Sequence, residues 1–179
     1  MKIYLTRHGQ TDWNVAHKFQ GKADIELNDV GIQQAKIAKE ELKDINIDLI
    51  ISSPLKRARK TAEIISGEKN IPIICDERIS ERDFGEFEGQ TVEEANLNGF
   101  WNYAENVKYE KAENIQSFFK RVYGFLDEMK VKYKDKNVLI VSHGGVSVPV
   151  TCYFNGIPND DCLIKMGIKN CEIKEFDVR

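Results

Sequence analysis

The chain has 179 residues, 41% of them apolar and 31% charged, with a formal net charge of -3. That length supports an ordinary globular core without covalent staples, and the balance excludes disordered and fibrous classes. A net negative chain carries no global positive field for nucleic acid, so an anionic ligand requires a local cationic pocket.

In chain order, Lys2 to Thr6 reads as a short strand running into Arg7, His8 and Gly9. Ala35, Ala38, Leu42 and Ile45 recur at three- and four-residue spacing, which predicts an amphipathic helix capped by Asn28 or Asp29. Asp48 to Ser52 is a near-continuous apolar run, the pattern of a parallel strand covered on both faces. Ser53 and Pro54 then lead into a helix over about Leu55 to Ser66, with Pro54 suited to its first turn. The least regular stretch is 84–113, where Phe84, Phe87, Phe100, Trp101, Tyr103 and Tyr109 stand among Asn, Glu and Gly residues. It reads as either a packed excursion or a lid.

Ile115, Phe118, Val122, Phe125, Leu126 and Met129 share one face of a helix over 114–133. Asn137 to Ser142 repeats the buried-strand pattern, and the alternating CEIKEFDV near the C-terminus reads as an edge strand. Strand and helix thus alternate from end to end, which predicts a three-layer α/β/α sandwich with a mostly parallel central sheet. No linker or repeat interrupts residues 1–179, so no domain boundary is placed within them.

No apolar run approaches a membrane span and the N-terminus reads as a strand, so a cytoplasmic protein is expected. Cys75, Cys152, Cys162 and Cys171 form no CxxC pair, and His8, His17 and His143 have no ligand spacing. Neither a disulfide framework nor a metal site is therefore expected.

Three apolar strands end in chemistry-bearing residues: the first in Thr6-Arg7-His8-Gly9, the second in Ser52-Ser53-Pro54 followed by Arg57, the third in Ser142-His143-Gly144-Gly145. Ligands of open α/β sheets sit outside the carboxyl ends of the strands, so neighbouring strands would bring two arginines and two histidines together. Such a place suits a phosphoryl group. Arg7 and Arg57 can fork donors onto phosphate oxygens. Gly9 and Gly144 admit backbone amides to an anion, and Thr11 and Asn14 add neutral donors in the following turn. A neutral histidine nitrogen is a competent nucleophile there, and an adjacent arginine keeps it unprotonated.

LTRHGQTDWN near the N-terminus, SSPLKRARKTA at 52–62, SERDFGEFEG at 80–89 and VSHGG at 141–145 together resemble the signatures of the histidine phosphatase superfamily, in the family's order. The resemblance implies a phosphoglycerate mutase-like fold. It implies that His8 is the phosphorylated nucleophile, with Arg7, Arg57 and His143 around the phosphate. Asn14 and the backbone at Gly144 would add donors, and Gln20 and Gly21 of the KFQG stretch would contact substrate. Glu81 matches the general acid, a role contributing roughly 10²- to 10⁴-fold.

Glu81 is followed by Arg82-Asp83-Phe84 where the mutases show Arg-His-Tyr, and Gly85-Glu86-Phe87-Glu88-Gly89 looks like the small phosphatase branch. The expectation is a metal-free, cofactor-free phosphatase acting on a small phosphorylated metabolite. The branch includes alpha-ribazole, sugar-phosphate, phosphoserine and broad-specificity phosphatases. The alternatives are a cofactor-dependent phosphoglycerate mutase and a phospho-ligand-binding protein without turnover. Ala112-Glu113-Asn114 stands where the phosphatases often carry Gly-Glu-Ser. Lys108 and Lys111 are candidates to meet a second phosphate, while His17, Glu86 and Glu88 read as solvated surface residues.

Overall fold

A computed structural model describes residues 1–92, 97–158 and 163–178. Its strands are β1 (Lys2–Arg7), β2 (Leu49–Ser52), β3 (Ile73–Cys75), β4 (Val138–Ser142) and β5 (Ile173–Asp177). The helices are α1 (Asp12–Val15), α2 (Asp29–Glu41), α3 (Lys56–Ser66), α4 (Leu97–Phe100), α5 (Ile115–Lys132) and α6 (Gly144–Asn155). The sheet order is β3-β2-β4-β1-β5. All neighbours are parallel except β5, which runs antiparallel to β1 at the edge.

Alternation along the strands builds two cores. Ile3, Leu5, Leu49, Ile51, Val138 and Ile140 face α5 and α6, where Phe118, Val122, Phe125, Leu126 and Val148 meet them. Tyr4, Ile50, Leu139 and Val141 point the other way onto Ala35 and Ala38 of α2 and Ala58, Ala62 and Ile65 of α3. Both faces of the sheet are thus covered, as the apolar strand runs require. Each buried Leu, Ile, Val or Phe contributes about 1.5–3 kcal/mol. Among the described residues no helix is long and apolar enough to cross a membrane.

The helix boundaries follow their caps. Asn28 caps α2 by accepting from the Gly31 amide at 2.9 Å, and Asn114 caps α5 by accepting from Ser117 at 2.9 Å. Ile45 lies beyond the end of α2 rather than in it. Pro54 is not in the first turn of α3, which begins at Lys56. Leu55 is its extended N-cap residue without a capping side chain. The cap comes from elsewhere, because Asp24 Oδ1 accepts from the Lys56 amide at 2.7 Å.

The aromatic stretch after residue 84 builds a third, small core: Phe19, Phe84 and Phe100 are buried together, with Phe87, Trp101 and Tyr109 packed around them. Tyr109 stacks on Phe100 with ring centroids 4.3 Å apart. Residues 93–96 of the stretch, and Cys162, lie outside the described residues.

Candidate active site

Because β2, β4 and β1 are parallel neighbours, their carboxyl ends lie side by side. Arg7 pairs with Ser142 in register, the His8 amide donates to Ser142 O at 2.9 Å, and the Ser53 amide donates to Val141 O at 3.0 Å. The strand ends thus deliver Arg7-His8, Ser53 and His143 to one edge, and α3 adds Arg57. A pocket of about 370 Å³ opens there, and Arg7, His8, Asn14, Gln20, Arg57, Glu81 and Gly144 all line it. Of the sequence-derived site residues, His143 and Gly21 are not among the lining residues.

His8 is 3% exposed. Its Nδ1 lies 2.7 Å from Gly9 O; a carbonyl only accepts, so Nδ1 carries the proton and Nε2 carries the lone pair. Burial, reinforced by the Arg57 and Arg7 guanidinium groups, holds the His8 pKa well below the ordinary histidine value. The imidazole is therefore neutral around pH 7, with the unprotonated Nε2 accepting from Arg57 Nε at 3.3 Å.

Arg57 is fully buried, and the guanidinium fork expected to grip phosphate is largely occupied by backbone. Nη1 donates to Ala23 O at 2.7 Å, and Nη2 donates to Gln20 O at 2.6 Å and Gly21 O at 3.0 Å. The 20–23 loop curls its carbonyls around the guanidinium, leaving Nε as the edge that reaches His8 Nε2 at 3.3 Å. Burial pushes the Arg57 pKa down to about 10, which still leaves the group charged at neutral pH. Gly21 thus serves the site by holding Arg57.

Arg7 is the freer cation: among the described residues its buried Nε has no partner, and Nη1 makes a 3.4 Å bond to Ile168 O. A Cβ on Gly144 would stand 3.2 Å from the Arg7 guanidinium carbon, so Gly144 lets that plane lie against the start of α6. His143 stands 5.2 Å from His8, ring to ring. Its Nε2 meets Ser53 Oγ at 2.8 Å, while Nδ1 is buried with no partner among the described residues. Ser53 Oγ also accepts from the Leu55 amide at 3.3 Å, and a hydroxyl with one proton and two lone pairs can serve His143 Nε2 as donor or acceptor. Burial and Arg57 hold the His143 pKa well below the ordinary value as well.

Two expected donors have other work. The Gly9 amide donates to Thr61 Oγ1 at 3.1 Å, and the Thr11 hydroxyl, within reach of Gln20 Oε1 at 2.8 Å, caps α1 instead of facing an anion. Asn14 uses its Oδ1 to accept from the Thr11 amide at 3.1 Å, which turns its amide hydrogens away from that bond and leaves them as donors.

Glu81 Oε2 accepts from the Gly145 amide at 2.9 Å and Oε1 from the Arg82 amide at 2.8 Å. Behind it is a frame that no sequence pattern announced. Arg121 donates to the carbonyls of Arg78 (2.7 Å), Ser80 (2.9 Å) and Glu81 (3.1 Å), and grips Glu113 through two bonds of 2.7 and 2.8 Å. Arg82, fully buried over Phe84, Phe100 and Trp101, donates to the carbonyls of Glu113 and Phe100. Glu88 is not a solvated turn residue: its carboxylate accepts from the Lys22 and Ala23 amides at 2.7 Å each, tying down the loop that holds Arg57. Asn170, also unflagged by any motif, donates to His8 O at 2.8 Å. His17 and Glu86 are exposed, as expected.

Comparison with known proteins agrees with this arrangement. Residues 3–179 match the model of the histidine phosphatase superfamily (branch 1). The chain is 42% identical over 142 residues to an uncharacterized phosphatase, PhoE, of Bacillus subtilis (strain 168), covering 79% of this chain and 71% of that one. Its fold is similar to Bacillus stearothermophilus YhfR, with a TM-score of 0.88 and 29% identity over 99% of this chain and 91% of that one. It is also similar to a phosphoserine phosphatase variant from Entamoeba histolytica in complex with phosphoserine, with a TM-score of 0.86 and 33% identity over 99% and 91% of the two chains. A strand-end histidine flanked by buried arginines and an amide-held carboxylate, in a chain matched almost throughout, belongs to the histidine phosphatase superfamily.

Proposed function

We propose that the protein is a phosphomonoesterase that hydrolyses a small phosphorylated metabolite through a phosphohistidine at His8, with neither metal nor cofactor. The observation that carries this reading is the neutral His8 imidazole, its Nδ1–H fixed on Gly9 O and its Nε2 lone pair held toward Arg57 Nε in a pocket shared with Glu81. Nε2 attacks phosphorus while the ester P–O bond breaks. Glu81 acts as the general acid, giving a proton to the leaving oxygen so that an alcohol departs rather than an alkoxide. Water then attacks the phosphohistidine, and the Glu81 carboxylate takes a water proton. The N–P bond breaks with its electron pair returning to Nε2, and inorganic phosphate leaves.

Arg7, the Arg57 edge, His143 and the Asn14 amide supply positive charge and polar groups around the transferring group. Such positioning and charge stabilisation is most of what phosphoryl transfer requires. The phosphatase names of the relatives support the reading, as does the departure from the mutase pattern after Glu81.

Hydrolysis of p-nitrophenyl phosphate with chelator in excess tests it, together with rapid-quench trapping of the phosphoenzyme. Turnover should persist in chelator, and an acid-labile phosphoenzyme should form in the native protein and not in His8→Ala. Turnover in His8→Ala, or its abolition by chelator, would overturn the reading. Bisphosphoglycerate-dependent isomerisation of 3-phosphoglycerate serves as the mutase control.

A further inference from the structure

The pocket wall beyond the phosphate carries Phe19, Phe84, Val92, Trp101, Ile164 and Ile168, and on its rim two lysines, Lys18 and Lys169. Lys108 and Lys111, the lysines that sequence suggested for a second anion, are exposed and take no part in the described lining. We propose that Lys18 and Lys169 form a subsite for a second anionic group, a carboxylate or a further phosphate, carried by the leaving alcohol. This rests on the phosphatase reading above and narrows its substrate class.

The backbone of each lysine is pinned while its head is left open. Lys18 forms an isolated bridge with Thr91, and its amide donates to Trp13 O at 2.9 Å. It immediately precedes the loop that wraps Arg57. Lys169 lies between Ile168, whose carbonyl is bonded to Arg7, and Asn170, which is bonded to His8 O. Both are thus fixed to the same machinery that holds the nucleophile. Among the described residues neither ammonium group is paired with a carboxylate; Lys18 Nζ rests 5.7 Å from the Trp13 ring.

The charge balance asks for a further anion. The described lining holds four cationic side chains, Arg7, Arg57, Lys18 and Lys169, against the single carboxylate of Glu81. A phosphate monoester brings about 1.5 to 2 negative charges near neutral pH, which leaves at least about one positive charge unanswered whether or not Glu81 holds its proton. A second anion on the leaving group answers it, and its field also steers that end of the substrate toward the rim.

A matched pair of esters reads this directly. 3-Phosphoglycerate and glycerol 3-phosphate differ by a carboxylate in place of a neutral hydroxymethyl group, and fructose 1,6-bisphosphate against fructose 6-phosphate tests a second phosphate in the same way. The anionic member of at least one pair should be favoured in kcat/KM on the order of tenfold, the discrimination expected of two partly exposed ion pairs. The preference should shrink with added salt. It should fall to about one in the double variant Lys18→Met, Lys169→Met; using the ratio removes any loss common to both esters.

A ratio near one in both pairs with turnover intact, or a preference unchanged in the double variant, overturns the subsite and leaves the phosphatase reading standing. Absence of turnover on every ester, p-nitrophenyl phosphate included, takes both down.

Discussion

The Gly145 amide donates to Glu81 Oε2 at 2.9 Å, so the carboxylate rests on the first turn of α6, the helix that begins beside His143. The same strand end that presents one pocket histidine therefore also holds the proposed acid. A Cβ at position 145 would stand 2.1 Å from Glu81 Oε1, so Gly145→Ala must displace that carboxylate. Side chains give more easily than backbone, and the folded state should lose little. We expect kcat to fall about 10²-fold, within the range of a removed acid–base catalyst, with phosphate inhibition retained. Kinetics paired with thermal melts check it; an unchanged kcat would contradict the acid's placement.

Acid should destabilise the protein from pH 6.5 downward. His8 and His143 are buried and neutral, their pKa values depressed by burial and by nearby arginines. Below about 6.5 the unfolded chain binds protons that the folded chain refuses, so stability falls as pH falls. Each histidine contributes a slope approaching about 1.4 kcal/mol per pH unit until its folded pKa is reached. Urea midpoints between pH 7.5 and 5 measure the slope, and His143→Gln should reduce it by about half the histidine share.

Arg121→Met should weaken both fold and rate. It strips three carbonyls of their donor and leaves Glu113 unpaired in a partly buried site. A loss of about 2–4 kcal/mol in stability is expected. Because those carbonyls fix the 78–81 segment, kcat should fall about tenfold with KM for p-nitrophenyl phosphate little altered. A stability loss with full kcat would show that the frame supports the fold alone. Arg121→Lys should recover only part of either, since an ammonium lacks the planar fork.

Glu88→Ala should act through the loop at 20–23. Its carboxylate holds the Lys22 and Ala23 amides, and the carbonyls of Gln20, Gly21 and Ala23 hold Arg57. Charge-assisted bonds contribute about 1.5–3 kcal/mol, so loosening two of them should raise KM about tenfold. Steady-state kinetics on p-nitrophenyl phosphate would show it, and an unchanged KM would mean that α3 alone positions Arg57.

The parts of this molecule legible in the sequence are those with strong period or composition. β2 and β4 are continuous apolar runs, and α5 has one clear face, so both kinds of element stand out. By contrast α6, with Val146, Val148, Pro149, Val150 and Cys152 all buried, has no polar face to give a helical period. β3 is three residues long, too short for any pattern. At the site, strand ends and motif blocks located His8, Arg57, Glu81 and His143. The second tier was invisible because it is made of contacts to carbonyls and amides. Arg121 bonds to backbone, Glu88 to two amides of a distant loop, and Asp24 caps a helix that begins 32 residues later. Such partners leave no trace in residue spacing.

Strand β1 owes its position to segments made long after it. It pairs with β4 at 138–142 on one side and β5 at 173–177 on the other. During synthesis its sheet neighbours are made long after it, Val138 coming 135 residues beyond its partner Ile3. The second neighbour, at 173–177, comes later still. His8 therefore waits unplaced until those strands are made, and closing so long a loop makes folding slow relative to a protein built from local contacts. A nascent chain that stops short of β4 carries the RHG triplet without the neighbouring strand that sets its place.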